Sequence, residues 1–239
     1  MKTVSIILLG ILLCIPVFGM DKKLNVPKQN FTVCIDPGHQ AKGNNKTEAI
    51  APGSTQKKAK VSSGTTGIGT KKPEYEVNLE ASLILKQLLE KEGITVVMTR
   101  EDHNVNISNA ERAQISNNNK ADMTIRIHCD SIDNSEKTGV TILVPSDTSK
   151  YTQSIYAESQ KYAEYLKEAL ISKDIQVNGI FKREDITGFN WSQVPVIILE
   201  MGFMSNWHED KMLSSPEYQT KLMESVVDAL RIYKNSPAE

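Results

Sequence analysis

Three side chains that could bind a metal ion or transfer a proton each follow a short apolar run. The side chains are His39, His128 and Glu200, and the runs span residues 32–35, 123–127 and 196–199. Short runs that are rich in Val and Ile and bounded by Gly, Pro, Asp or Asn predict β-strands. Because α/β proteins bind ligands at the carboxyl ends of their strands, we expect the three side chains to reach one crevice.

A fourth candidate, Glu74, begins the first long predicted helix, which spans residues 74–92. At about 100° per residue the apolar residues of this helix form one stripe, and Glu74 falls close to its centre. A buried carboxylate is costly unless a cation or a strong hydrogen-bond donor meets it. The alternative is a first-turn acid that stays in solvent and interacts favourably with the helix dipole.

Two histidines and one carboxylate are a common ligand set for catalytic zinc, which keeps its fourth position open for water. Zinc lowers the pKa of such a water to about 7, and a nearby carboxylate can then take its proton and pass it to a leaving amine. The chain has no HExxH helix, so the ligands would come from three distant elements. Each histidine could instead be a hydrogen-bonded turn residue.

A single α/β domain at residues 32–234 would position these groups. Apolar runs at 94–98 and 140–144 predict two further strands, and helical patterns lie between the strands. The predicted helices span residues 74–92, 108–118, 150–172 and 216–233. The alternation predicts a mixed, mostly parallel sheet with helices on both faces.

Residues 40–72 interrupt this pattern, because they are rich in Gly, Ser, Thr, Lys and Asn and contain few apolar residues. The segment is too long for a simple connection inside a compact domain. It is either a functional flap or a mobile loop. As a flap, it would border the substrate groove or a partner protein.

The first 19 residues differ from the rest of the chain. A short basic start, an apolar stretch and the small residue Gly19 predict a secretory signal peptide that is cut after residue 19. The alternative is an uncleaved membrane anchor, since the uncharged run is just long enough to span a bilayer. Both interpretations place the domain outside the cytoplasm, with a linker at 20–31 and a tail at 235–239.

Composition argues against several classes of protein. The 239 residues include 28 Lys and Arg and 29 Asp and Glu, a formal net charge of −1 that gives no general attraction to nucleic acid. An apolar fraction of 39% argues against disorder, and three cysteines are too few for a disulfide scaffold. Beyond residue 19 only Cys34 and Cys129 remain, and their apolar neighbours favour buried thiols over a disulfide.

Six short motifs occur in a fixed order along the chain. They are Asp-Pro-Gly-His at 36–39, Glu-Tyr-Glu-Val-Asn-Leu at 74–79, Met-Thr-Arg at 98–100, Glu-Arg-Ala at 111–113, Ile-His at 127–128 and Leu-Glu-Met-Gly-Phe-Met-Ser-Asn at 199–206. Together they resemble the zinc N-acetylmuramoyl-L-alanine amidases of the family 3 type, over residues 32–233. The resemblance implies a phosphorylase/hydrolase-like α/β fold.

The resemblance also implies a reaction and its residues. His39, Glu74 and His128 would bind zinc (Zn2+), and Glu200 would act first as a general base and then as a general acid. Enzymes of this family hydrolyse the amide between the lactyl group of N-acetylmuramic acid and the L-alanine of the peptidoglycan stem peptide. Peptidoglycan is therefore the expected substrate.

The sequence departs from the family where the usual Ser-Ile-His-Ala-Asn reads Arg-Ile-His-Cys-Asp at 126–130. Strand alternation puts Arg126, His128 and Asp130 on one face. We therefore expect Arg126 to pair with a carboxylate behind the metal, either Glu200 or Asp130. The alternative is an arginine whose guanidinium reaches solvent.

Several roles remain open at this stage. A signal segment followed by a bare catalytic domain is similar to the spore-cortex amidases of endospore formers, which act in muramic lactam formation before germination. A general autolysin for cell separation is the alternative role, and a zinc carboxypeptidase or deacetylase is the alternative chemistry. A binding protein that keeps the fold without turnover is disfavoured because all four key residues are present. An enzyme without its own wall anchor could depend on a protein partner that activates or localises it.

Overall fold

A computed structural model describes residues 31–236 of the chain. The strands are β1 (Thr32–Pro37), β2 (Asn44–Ala49), β3 (Lys57–Val61), β4 (Thr95–Met98), β5 (Met123–Asp130), β6 (Val140–Pro145), β7 (Val177–Arg183) and β8 (Val196–Phe203). The helices are α1 (Glu74–Lys91), α2 (Asn109–Asn118), α3 (Gln153–Ser172), α4 (Thr187–Asn190), α5 (Trp207–Leu213) and α6 (Pro216–Asn235). The predicted signal peptide or anchor at 1–19 and nearly all of the predicted linker lie outside the described residues.

Six strands form the main sheet, in the order β4-β1-β5-β8-β6-β7. Strand β1 is parallel to β4 and β5, β5 is parallel to β8, and β6 is parallel to β7. The β6–β8 pair is antiparallel. The prediction of one α/β domain with a mixed, mostly parallel sheet is therefore confirmed.

Helices cover both faces of this sheet, as the sequence predicts. On one face α1, α3 and α6 pack against the strands, and fully buried residues such as Leu85, Leu166 and Val226 form the main hydrophobic core. On the other face Phe189 of α4 packs with Ile198 of β8 in a smaller core. Burial of these apolar groups is the main favourable term in folding. The strands that carry the polar site are therefore packed between two hydrophobic cores.

The local sequence explains where α1 and α2 begin. Helix α1 follows Pro73 and has two acidic residues in its first turn, where the helix dipole favours negative charge. Helix α2 begins with a capping box. The side chain of Ser108 accepts a hydrogen bond from the Glu111 backbone N–H at 3.2 Å, and the Glu111 carboxylate accepts one from the Ser108 backbone N–H at 2.7 Å.

The sequence analysis missed three strands. Strands β2 and β3 form a separate antiparallel hairpin inside the 40–72 segment, and β7 lies at the edge of the main sheet. The hairpin sequences, Asn-Asn-Lys-Thr-Glu-Ala and Lys-Lys-Ala-Lys-Val, contain mostly polar residues, and the β7 sequence, Val-Asn-Gly-Ile-Phe-Lys-Arg, mixes apolar and polar residues without strict alternation. An exposed hairpin and an edge strand bury little apolar surface, so they lack the apolar signal by which buried strands are recognised.

Both cysteines in the described part of the chain, Cys34 and Cys129, are buried free thiols. Burial raises the pKa of the Cys34 thiol to about 12. Within residues 31–236, no helix has the length and apolar character that crossing a bilayer requires.

Leu85 tests the packing of α1, because its side chain is fully buried in the main core. We expect Leu85→Ala to lower the free energy of unfolding by about 2–5 kcal/mol, since the substitution leaves a cavity. Gln87→Ala is the matched control on the exposed side of the same helix and should change it by less than about 0.5 kcal/mol. Both values come from denaturant unfolding, and equal values for the two variants would contradict this packing.

Candidate metal centre

His39 lies in the turn that follows β1, and its backbone φ is 61°. Residues other than glycine rarely adopt this left-handed conformation, and those that do cluster at functional sites. Two arginines contact this turn through its backbone oxygens. Arg112 Nη2 donates to the His39 carbonyl at 2.8 Å, and Arg100 Nη2 donates to the Gly38 carbonyl at 2.9 Å. These bonds stabilise the strained conformation that aims the imidazole.

The segment between β3 and α1 orients the imidazole of His39. Its Nδ1 lies 3.0 Å from the carbonyl oxygen of Ser62 and 3.0 Å from the hydroxyl oxygen of the same residue. If Nδ1 donates its proton to this carbonyl, Nε2 is left with a lone pair. That Nε2 lies 3.1 Å from Oε1 of Glu74. Two acceptor atoms then face each other, an arrangement that a cation between them would stabilise.

Glu74 is buried at the start of α1, as the helical pattern predicts. Its Oε1 accepts hydrogen bonds from the Cys129 backbone N–H and the Asn78 side-chain amide, each at 3.1 Å. Its Oε2 accepts one from the Thr65 backbone N–H at 3.0 Å. These donors fix the carboxylate in one orientation without neutralising its charge.

The protonation states of Glu74 and His128 are those that bind a metal ion. His128 Nδ1 lies 3.3 Å from Glu74 Oε1. Burial lowers the pKa of His128 to about 4, so its ring is neutral at pH 7. Burial opposes ionisation of Glu74, but the interactions of this carboxyl group with the rings of His128 and His39 hold its pKa well below its usual range. Metal ligands are neutral imidazoles and ionised carboxylates.

The structure brings together the three residues that the sequence proposes as metal ligands. One ligand atom from each of His39, Glu74 and His128 lies within 4.8 Å of the others. The buried Nε2 of His128 has no hydrogen-bond partner among the described residues. Two imidazoles and one carboxylate are a donor set that suits zinc. The cluster therefore fits a divalent metal ion.

Two glycines leave the room that these ligands need. A Cβ at Gly38 would lie 2.3 to 2.5 Å from ring atoms of His128. A Cβ at Gly64 would lie 2.6 Å from Oε2 of Glu74. Gly64 also has a φ of 78°, a conformation that side chains other than hydrogen disfavour. Any larger residue at either position would displace a ligand.

Glu200 lies next to His128 in the β5–β8 register. The sequence analysis places it at the end of its strand, but β8 continues to Phe203. One oxygen of its carboxyl group, Oε2, is buried and has no partner among residues 31–236. Burial raises the pKa of the Glu200 carboxyl well above its usual range, and the negative charges of Glu74 and Asp130 act in the same direction. A carboxyl group with a raised pKa can both accept and return a proton near neutral pH.

A buried carboxylate, Asp36, lies beneath the His39 turn. It accepts hydrogen bonds from Arg112 Nη1 at 2.7 Å, Arg126 Nε at 2.7 Å and Thr99 Oγ1 at 2.6 Å. Although burial opposes ionisation, the two guanidinium groups hold the pKa of Asp36 well below its usual range. Arg112 also donates to the Pro37 carbonyl at 2.7 Å. The charge pairs therefore connect directly to the backbone of the turn.

The predicted partner of Arg126 was wrong. Arg126 is buried and bonds to Asp36, and its Nη2 donates to the Asn109 side chain at 2.9 Å. The register explains this, because Asp36 lies opposite Arg126 in the β1–β5 pair. The solvent-exposed alternative is wrong as well. The Asp130 carboxylate instead accepts a hydrogen bond from the Ser131 backbone N–H at 2.7 Å.

Sequence reasoning did not identify the residues that position the ligands. Arg100 and Arg112 were part of recognised motifs but had no assigned role, and Ser62 and Thr65 lie in the segment interpreted only as a flap. One signal was available for Arg112, which is next to Ala113 on the buried side of α2. A second was Asp36, an acid directly after an apolar strand. The Ser62 and Thr65 contacts span 23 and 9 residues and have no comparable sequence pattern.

A groove of about 390 Å³ opens beside the cluster. His39, His128 and Glu200 line it together with residues of the β3 strand and of the β7–α4 connection. Ser62 and Lys58 of the 40–72 segment form part of its wall. The 40–72 segment therefore borders the groove beside the cluster, and its role as a border of the substrate groove stays a prediction.

Comparison with known proteins assigns the chain to a family. The sequence model of the N-acetylmuramoyl-L-alanine amidase family matches residues 33–231. This chain belongs to that family. The match covers β1 to α6 and so includes every residue of the candidate metal centre.

Individual amidases agree with this assignment. A probable cell wall amidase LytH of Staphylococcus saprophyticus is 30% identical over 214 residues, which is 89% of this chain. The chain spans 62% of the length of that relative. The apo form of an N-acetylmuramyl-L-alanine amidase from Mycobacterium abscessus superposes with a TM-score of 0.77 at 25% identity, over 85% of this chain and 98% of the other.

A further structural neighbour shares the fold. It is the CwlD amidase from Clostridioides difficile in complex with the GerS lipoprotein, with a TM-score of 0.64 and 23% identity. The superposition covers 85% of this chain and 98% of the neighbour.

Arg112 tests the buried charge cluster of this amidase-family chain. We expect Arg112→Met to lower the free energy of unfolding by about 3–5 kcal/mol, because Asp36 loses one of its two buried cations. Arg231→Met is the control, since Arg231 pairs with Glu92 on the surface, where a pair contributes about 0–1 kcal/mol. Denaturant unfolding measures both, and a similarly small loss for the two variants would contradict the role given to Arg112.

Proposed function

We propose that this chain is a zinc-dependent N-acetylmuramoyl-L-alanine amidase. It would hydrolyse the amide that joins N-acetylmuramic acid to the L-alanine of the peptidoglycan stem peptide. The observation that supports this proposal is the geometry of four side chains. His39, Glu74 and His128 converge within 4.8 Å, and Glu200 lies beside His128 in the same groove.

His39, Glu74 and His128 would hold the zinc ion. When bound, zinc supplies Lewis-acid chemistry, which polarises a carbonyl oxygen and makes water a better nucleophile at neutral pH. The chain's own contribution is orientation. Ser62 fixes the ring of His39, and the backbone N–H groups of Thr65 and Cys129 fix the carboxylate of Glu74. Such outer contacts set the tautomer and direction of metal ligands.

Glu200 would move the proton. In its ionised form its free Oε2 accepts a proton from the attacking water, and in its protonated form it donates that proton to the departing alanine amine. The raised pKa favours the second role, because the carboxyl keeps the proton until the amine takes it. Glu200 lies in the groove wall, where the scissile amide would reach it.

The groove is open to solvent, and its lining extends from the candidate metal ligands to the β7–α4 connection, so it suits a polymer better than a free amino acid. A zinc carboxypeptidase, the alternative chemistry, would act on the free carboxyl end of a peptide. The family match over residues 33–231 is to N-acetylmuramoyl-L-alanine amidases, and this match favours the amidase over the carboxypeptidase.

The cellular setting is also part of the proposal. Peptidoglycan lies outside the cytoplasm, so we place the domain there, secreted or anchored through its amino-terminal segment. An activating or localising protein partner is proposed by analogy with the complex of CwlD and GerS. Whether the role is spore-cortex maturation or general wall turnover stays a prediction from the resemblance, and the muramic lactam content of spores of a deletion strain would decide it.

A peptidoglycan digest tests the reaction. We expect the zinc-loaded protein to release free stem peptides that begin with an L-alanine amino group, as detected by mass spectrometry. The control is a digest with the protein after removal of zinc by a chelator, which should release none until zinc is restored. Release of single amino acids from the carboxyl end, or of acetate, would identify a carboxypeptidase or a deacetylase and contradict the proposal.

Substitutions separate the metal ligands from the proton carrier. Glu200→Gln should slow hydrolysis by about 10²–10⁴-fold, the usual contribution of general acid–base catalysis, while zinc content stays normal. His39→Ala should lose bound zinc, measured by metal analysis of the purified protein. Glu217→Gln and His208→Ala are the matched controls, because both residues are exposed and lie outside the groove. Normal turnover in Glu200→Gln, or normal zinc content in His39→Ala, would remove that residue from its role.

A further inference from the structure

The groove has a charged wall that the hydrolytic chemistry does not use. Lys58 of β3 and Arg183 of β7 both line it, as does Asp185 of the β7–α4 connection. The two cations come from elements that are distant in sequence and belong to different sheets. Their presence on one wall of the groove is therefore a feature of the folded chain alone.

Asp185 holds both cations in place. Arg183 donates to its carboxylate through Nε at 2.8 Å and through Nη2 at 3.0 Å. Lys58 Nζ donates to the same carboxylate at 3.0 Å and also to the Asp185 backbone carbonyl. The three groups together carry one net positive charge. Shared pairing to one acid reduces the freedom that each long side chain would lose on binding a ligand.

Both cations keep donors for a ligand. A guanidinium has five N–H groups, and Asp185 accepts from two of those of Arg183. The side chain of Arg183 is 44% exposed and that of Lys58 is 40% exposed. The remaining N–H groups can therefore meet an anion in the groove. The other arginine in the groove lining, Arg126, is buried and already bonded to Asp36 and Asn109.

The strand registers give the separation between this wall and Glu200. Glu200 lies opposite Thr141 of β6, and Arg183 lies opposite Pro145 of the same strand. Four residues of strand correspond to about 13 Å along the strands, and the two strand spacings from β8 through β6 to β7 add about 10 Å across the sheet. Residues 141 and 145 lie on one face of β6, and the side chains of Glu200 and Arg183 both line the groove. Two residues of extended peptide span at most about 7 Å, so the long side chain of Arg183 must reach back along the groove for its guanidinium to meet the second residue of a peptide bound at Glu200.

The chemistry of the proposed substrate shows which part would meet these cations. The lactyl carboxyl of N-acetylmuramic acid is consumed in the amide bond, so the sugar side is neutral near the reacting carbonyl. On the peptide side, the residue after L-alanine is D-glutamate joined through its γ-carboxyl, which leaves its α-carboxylate free. In some peptidoglycans this carboxylate is amidated, and the charge is lost.

We propose that Arg183 and Lys58 bind the free α-carboxylate of the second stem-peptide residue and so make the site selective for the unamidated peptide. This inference rests on the proposed function, because the carboxylate belongs to the substrate named there. Arg183 contributes more than Lys58, since a guanidinium can bind a carboxylate through two parallel hydrogen bonds.

Binding of a matched pair of ligands tests the proposal without turnover. The ligands are N-acetylmuramoyl-L-alanyl-γ-D-glutamyl-L-lysine and its D-isoglutaminyl counterpart, which differ by one carboxylate and one amide. Zinc-loaded Glu200→Gln protein is titrated with each by calorimetry. We expect the carboxylate ligand to bind about tenfold or more tightly than the amide ligand, as the loss of a charge-assisted hydrogen bond would give.

Added to the Glu200→Gln background, Arg183→Gln should remove this preference by weakening binding of the carboxylate ligand, while binding of the amide ligand changes less than about twofold. Arg183→Gln leaves Asp185 with one cation fewer, so Arg183→Gln with Asp185→Asn is the second variant, and it should lack the preference as well. Lys182→Gln is the matched control, because Lys182 precedes Arg183 on β7 and pairs with Asp147 outside the groove lining. It should keep the preference.

Equal affinity of the Glu200→Gln protein for the two ligands, or no binding of either, would overturn the proposal. An equal loss for both ligands in Arg183→Gln would do so as well. The outcome is separate from that of the digest. A chain that binds the carboxylate ligand selectively but releases no stem peptides retains this inference and refutes the proposed reaction.

Discussion

The ion cluster around Asp36 is the interaction on which the geometry of the candidate metal centre depends. Asp36 is buried together with Arg112 and Arg126, and Arg112 also bonds to the backbone of the His39 turn. A buried ion pair usually contributes little net stability, because desolvation offsets the attraction between the charges. The contribution of this ion cluster is to the geometry of the site. It fixes a left-handed backbone conformation at His39 that the chain would otherwise avoid.

The carboxylate of Glu74 is also held in one orientation by surrounding contacts. Backbone N–H groups from the 62–73 segment and from β5, together with Asn78 of α1, converge on this one buried carboxylate. The carboxylate is therefore fixed by contacts from three separate elements. These contacts hold Glu74 in one orientation, and its pKa stays well below the usual range because the two histidine rings interact with it. A divalent ion requires an ionised carboxylate, so the contacts that fix Glu74 also favour metal binding.

The sequence predicted the parts of this molecule that bury apolar surface. The five apolar strands and four long helices were found because burial imposes a periodic pattern, and the candidate ligands could be proposed because they follow those strands or begin a helix. The hairpin β2–β3 was missed because it is exposed. The contact between Ser62, which follows β3, and the ring of His39 was missed because it depends on how a polar segment folds back over 23 residues. The partner of Arg126 was wrong for a related reason. Alternation gives the face of a strand, whereas the choice of Asp36 depends on the order and register of the strands.

The 40–72 segment contributes to both functions that we propose for the groove, binding of the peptide and binding of the metal ion. Its β3 strand supplies Lys58 to the charged wall, and the residues immediately after β3 include Ser62, which orients the ring of His39. Because only four residues separate these two side chains, a shift of the hairpin would move both together. A peptide that binds Lys58 and Arg183 would therefore also restrain the segment that positions the first ligand. If both proposals hold, recognition of the stem peptide and the geometry of the metal centre would both depend on this one short strand.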